Sequence, residues 1–198
     1  MLDIKKLNTA LTLLDGKLRQ KGAEQVNLVV CGGSSLIITG LISRTTTDVD
    51  ILAFAKLVGP GRVLIIPADT LSQELVESAK EVARDLGLSE KWLNNMPHEE
   101  ANFGLPIGFE ERLQSHPYGE VLTIYFIGRL DQIHFKLHAA VDQGMGRHVN
   151  DLLALNPTPA EMELAARWVL TQDAGVQFPD ILKQALRKIG YGTVADRI

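Results

Sequence analysis

An α+β fold is predicted by three features of the 198-residue chain. Apolar residues recur at helical spacing in the first twenty positions, β-branched runs alternate with helical patterns up to about 128, and only helical patterns follow. With 45% hydrophobic residues and no repeat, low-complexity tract or clear linker, the chain has enough apolar surface for a real core. The expected division is a core over residues 1–130, a small mixed β-sheet with flanking helices, and a helical C-terminal part over 131–198 packed on that core.

Leu7, Leu11, Leu14 and Leu18 fall at three- and four-residue steps, which makes the first element an amphipathic helix ending near Gly22. VNLVVC (26–31) suits a buried strand and is punctuated by Gly32-Gly33; a helix over 34–41 then begins at Ser34 or Ser35. DVDILAF (48–54) reads as a second strand, and RVLIIP (62–67) as another strand or as its continuation across a loop. A helix from about Ser72 to Leu86 is closed by Gly87.

Pro97, Pro106 and Pro117 predict irregular structure over 88–119, where Trp92, Leu93, Asn94, Phe103 and Phe109 read as packing residues of a long loop. VLTIYFIG (121–128) is a buried strand, and DQIHFKLHAAVDQ a helix with Asp131 as its N-cap. A further helix is expected near 149–155. Thr158-Pro159-Ala160-Glu161 is a capping box with proline at the first helical position, opening a helix to about Thr171. The last helix runs from Asp180 to Ile189 and stops at Gly190.

Twenty basic against 24 acidic residues leave a net charge of −4, so a nucleotide or nucleic-acid site must come from local clustering and not from a global positive field. Cys31 is the only cysteine, which excludes an internal disulfide and a cysteine-rich metal site and fits a cytoplasmic setting. The N-terminal stretch mixes charges with its leucines and predicts neither a signal peptide nor a membrane partner.

The residues that carry chemistry lie in VCGGSSLIITGLISRTTTDVDIL (30–52). Alternation along a strand sends Asp48 and Asp50 to one face and Val49 to the other, so two carboxylates about 7 Å apart repel each other unless a cation lies between them. Mg²⁺ prefers such hard oxygen ligands and keeps waters and substrate phosphates as the rest of its shell. Gly32 and Gly33 let backbone amides approach an anion, the following helix presents unpaired N–H groups, and Ser34 and Ser35 add hydroxyls. Taken singly, the turn also reads as a tight connection and the Asp-x-Asp as a solvated strand edge.

Together, GGS at 32–34 and DVD at 48–50, with thirteen residues between them, resemble the signature of the DNA polymerase β-like nucleotidyltransferase superfamily. GGSSL and RTTTDVDIL further resemble its bacterial abortive-infection branch, the AbiEii-like toxin-type proteins. The resemblance implies a nucleotidyltransferase fold and Mg²⁺-dependent transfer of an NMP from an NTP to a hydroxyl of a macromolecule, RNA, tRNA or protein, in a chain that could belong to a toxin–antitoxin pair. It makes Asp48 and Asp50 metal ligands and Gly32, Gly33, Ser34 and Ser35 nucleotide-binding. Lys136 in FKLHAAVDQ would contact phosphates. Asp151 in RHVNDLLAL would support the site, orienting that lysine or acting as a base, with Asp142 as its rival.

Lys136 interrupts an apolar helix face, so its ammonium either meets an anion or snorkels to solvent. Asp151 otherwise reads as a helix-start residue. Arg44 either reaches phosphates from the loop or lies on the surface. VLTIYFIG offers no third carboxylate, and Glu120 at its start is a poor stand-in, which keeps open a catalytically inactive nucleotide- or partner-binding module of the same fold. His134 and His138 are four apart on a helix but have no third ligand at a persuasive spacing. GGSSLI lacks the G-x-G-x-x-G pattern of a dinucleotide binder.

Overall fold

A computed structural model describes residues 1–59 and 61–198, and the chain divides into two compact units, Met1–Gly128 and Arg129–Ile198. In the first unit the leucine stripe forms helix α1 (Ile4–Gln20), capped by the Asp3 carboxylate on the Lys6 amide, with Leu7, Leu11, Leu14 and Leu18 fully buried. Strand β1 (Val26–Cys31) runs directly into helix α2 (Gly32–Ile38), two residues earlier than the serines suggest. Gly32 makes this possible: its φ of +71° is a left-handed conformation that side-chain-bearing residues resist.

Strand β2 (Val49–Gly59) begins after Asp48 and is longer than expected, because it pairs in an antiparallel hairpin with β3 (Arg62–Pro67). RVLIIP is therefore a partner strand and not a continuation. Helix α3 (Gln73–Leu86) has Ser72 as N-cap and ends on left-handed Gly87, φ +60°, as its sequence signals.

The 88–119 stretch is more ordered than its prolines imply. It holds strand β4 (Leu93–Asn94), helix α4 (His98–Asn102), a 3₁₀ turn at Glu110–Arg112 and strand β5 (Gln114–Pro117). Pro117 is tolerated because β5 is an edge strand, joined among the described residues to β6 (Leu122–Phe126) alone. Trp92 and Phe109 are fully buried, as packing residues should be, whereas Phe103 is 63% exposed and packs no core.

The sheet order is β3-β2-β1-β6-β5, with β4 pairing β2 beyond the end of β3. The first strand is antiparallel to β2 and parallel to β6, so the sheet is mixed. One face carries Leu28, Val30, Val49, Ile51, Ile124 and Phe126, packed with the α1 leucines and with Leu75 and Val82 of α3. Ion pairs from Lys17 to Asp85 and from Lys21 to Glu81, each 2.9 Å, tie α1 to α3 at the surface.

The second unit is helical. Helix α5 (Arg129–Asp142) starts two residues before the anticipated N-cap, because the chain leaves β6 and turns straight into it; Asp131 lies inside the first turn and is fully buried. It packs against α6 (Arg147–Ala154), α7 (Pro159–Val169) and α8 (Phe178–Lys188). Both halves of the Thr158–Glu161 capping box are formed. The Arg129 guanidinium donates to the carbonyls of Leu155 and Asn156 at the end of α6 and also pairs with Glu161, joining the end of one helix to the start of the next. A short helix α9 (Gly192–Ala195) follows Gly190. Among the described residues no helix is long and apolar enough to cross a membrane.

Candidate functional site

The antiparallel register explains why the glycine turn and the aspartates meet. Cys31, last in β1, stands opposite Asp50, so the residues after Cys31 and those before Asp50 lie at the same end of the sheet. Val49 is fully buried in the core while Asp48 and Asp50 are half-buried, the alternation that puts both carboxylates on the face away from α1 and α3.

Gly32 lies directly against Asp50, where a Cβ at position 32 would come within 2.6 Å of Oδ2. Gly33 lies against the loop before the strand: a Cβ there would meet Thr46 Oγ1 at 2.8 Å and an Arg44 guanidinium nitrogen at 2.9 Å. Both glycines are needed for close approach, and Arg44, anchored by Nη1 on the Thr45 carbonyl, is brought to the turn. Ser34 and Ser35 are buried, with hydroxyls in long 3.5 Å contacts to the carbonyls of Cys31 and Ile127 respectively.

Each aspartate is held by neighbours. Thr46 and Thr47 donate their hydroxyls to Asp48 Oδ1 and Oδ2 at 3.2 and 3.0 Å, and Asn94 donates its amide to Asp50 Oδ1 at 3.1 Å. The Thr46 backbone is clipped to Leu2 by two hydrogen bonds of 2.7 and 2.9 Å. Sequence reasoning missed these supports. The threonines stood inside the quoted motif, and Asn94 is 44 residues from its partner, a pairing that only the β2–β4 register reveals.

The donor set fits a hard divalent cation. Two half-buried carboxylates, each hydrogen-bonded and one of them set against the bare backbone of Gly32, match the one or two protein carboxylates that Mg²⁺ takes alongside phosphates and waters. Among the described residues no group of three or more His, Cys, Asp or Glu side chains is placed to hold a metal. Glu120 lies before the N-terminal end of β6, at the opposite end of the sheet from Cys31, and pairs with Arg19.

In the helical unit, Lys136 and Asp151 are joined in an ion pair of 2.9 Å, with side chains only 7% and 4% exposed. The lysine does not snorkel. Asp142 is exposed, so Asp151 is the carboxylate that meets Lys136. His134, Phe135 and His138 surround the Trp168 ring, and His134 Nδ1 is 2.7 Å from the Leu130 carbonyl. Burial lowers the His138 pKa, against the opposing pull of Asp142 and Asp173.

No curated protein and no solved structure matches the chain. A family model described as nucleotidyltransferase of unknown function (DUF6036) matches residues 9–151, which take in the glycine turn, both aspartates, Lys136 and Asp151. That match spans well over half of the sequence, and the chain belongs to this family of nucleotidyltransferases of unknown function.

Proposed function

We propose that the protein transfers an NMP from an NTP to a hydroxyl of a macromolecule, RNA or protein, in a Mg²⁺-dependent reaction. The observation that carries this reading is the packing of Gly32 against Asp50 and of Gly33 against Thr46 and Arg44, which sets the glycine turn beside the Asp-x-Asp stretch.

Asp48 and Asp50 would hold Mg²⁺, whose chemistry there is to neutralise phosphate charge and polarise the phosphoryl oxygens. At Gly33 the place of a Cβ is taken by Thr46 and Arg44, so the turn would reach a phosphate through side chains, the Ser34 hydroxyl exchanging its long contact with Cys31 for a phosphate oxygen. Arg44 supplies a fixed planar cation beside the same turn, suited to the terminal phosphates that depart as pyrophosphate. Thr46 and Thr47 keep the Asp48 carboxylate oriented. In the helical unit, Lys136 and Asp151 hold each other in their buried ion pair.

The likeness of GGSSL and RTTTDVDIL to the AbiEii-like proteins supports a place in a toxin–antitoxin pair, with a cognate partner protein as the acceptor or as the inhibitor. The test is incubation with α-labelled NTPs, Mg²⁺ and cell extract. The expected result is one labelled macromolecule with the wild-type chain and none with Asp48→Ala or Asp50→Ala. Equal labelling by either variant would end the reading, and NTP binding without transfer would leave a binding module in its place.

A further inference from the structure

We propose that Asn94 is a positioning residue for the Asp50 carboxylate, fixing which of its oxygens is offered to the metal; this rests on the reading of Asp48 and Asp50 as metal ligands. Asn94 lies beside Asp50 because β4 runs parallel to β2 with Leu93 level with Val49 and Asn94 level with Asp50. Its Nδ2 donates to Asp50 Oδ1 at 3.1 Å. The sense of the amide is set independently, since its Oδ1 accepts the Met96 backbone N–H at 3.0 Å and so cannot be exchanged for the nitrogen without losing that bond.

Asp50 is thereby gripped from two sides. Oδ1 takes the Asn94 hydrogen bond while Oδ2 faces the bare backbone of Gly32, an orientation that the amide bond favours.

The segment that presents Asn94 is anchored to the core. Trp92 is fully buried, its indole N–H donates to the Ala79 carbonyl of α3 at 2.9 Å, and its own carbonyl accepts the Val49 amide at 2.6 Å. On the other side Asn95 donates to the Ala68 carbonyl at 2.6 Å. A hydrogen-bond donor built on so fixed a segment can hold a ligand oxygen within the narrow tolerance of Mg²⁺ geometry.

The test uses Mn²⁺ alone as the probe, titrated into the full chain and followed by electron paramagnetic resonance. Asn94→Ala and Asn94→Leu both remove the donor, the second without loss of volume, and leave the β2–β4 main-chain pairing available. Both are expected to weaken Mn²⁺ binding about ten- to a hundredfold, with melting temperatures within a few degrees of wild type; Asp50→Ala is expected to weaken it at least as much. Wild-type Mn²⁺ affinity in either folded Asn94 variant, with Asp50→Ala still impaired, would overturn the positioning role and leave the metal site standing. Unchanged binding in Asp50→Ala, or none in wild type, would overturn the metal reading and this inference with it.

Discussion

Replacing Gly32 by alanine tests the joining of turn and carboxylate, and Gly40→Ala is its matched control. Both glycines sit in the left-handed region, φ +71° and +72°, but a Cβ at Gly40 meets nothing within 4 Å, whereas at Gly32 it meets Asp50 Oδ2 at 2.6 Å. Backbone strain should cost each variant about 1–2 kcal/mol. For a chain of this length that is a fall of roughly 2–8 °C in melting temperature.

Only Gly32→Ala forces the carboxylate to retreat, from 2.6 Å to the 3.4 Å of ordinary contact, while Asn94 holds its other oxygen. The displacement of about 0.8 Å exceeds the roughly 0.2 Å tolerance of a metal–ligand distance several times over. Thermal melts and calorimetric titration of Mg²⁺-NTP should therefore show similar destabilisation in the two variants and loss of metal-dependent binding in Gly32→Ala alone. Equal binding by the two variants would refute the reasoning.

Other expectations concern stability. Because Lys136 and Asp151 are buried together, Lys136→Met or Asp151→Leu alone should cost about 3–5 kcal/mol by urea denaturation, and the double variant should recover most of it; small, additive losses would contradict this. Asp15 accepts the amides of Val121 and Leu122 at 2.9 and 2.8 Å, so Asp15→Ala should cost about 2–4 kcal/mol, and a loss under about 1 kcal/mol would count against it. The Arg129 hydrogen bond, with those from Thr158, pulls the Glu161 pKa down to about 2 from 4.5. Its contribution is therefore present above about pH 4.5 and lost as pH falls towards 2, so the stability gap between wild type and Glu161→Gln should close over that window. A gap independent of pH would contradict the assignment.

What the sequence shows and hides follows from how local each feature is. The α1 leucine stripe, the Ser72 and Gly87 caps and the Thr158 capping box are set by residues within a turn or two of each other, and the structure has them where the pattern puts them. β5 is different: Gln-Ser-His-Pro has no strand pattern of its own and is a strand because β6 pairs with it. The same holds for β4, and hence for Asn94 as the partner of Asp50. The closeness of Gly-Gly to Asp-x-Asp was legible because the chain makes only a short excursion between β1 and β2; that each aspartate has its own hydrogen-bond support was not.

The claim that the glycine turn and the two aspartates form one metal–triphosphate site is tested most directly by calorimetric titration of the full chain with each NTP, with and without Mg²⁺, beside Asp48→Ala and Asp50→Ala. The account predicts binding of at least one NTP that needs Mg²⁺ and is lost in both variants. Binding that ignores Mg²⁺, or that survives in either folded variant, would contradict it.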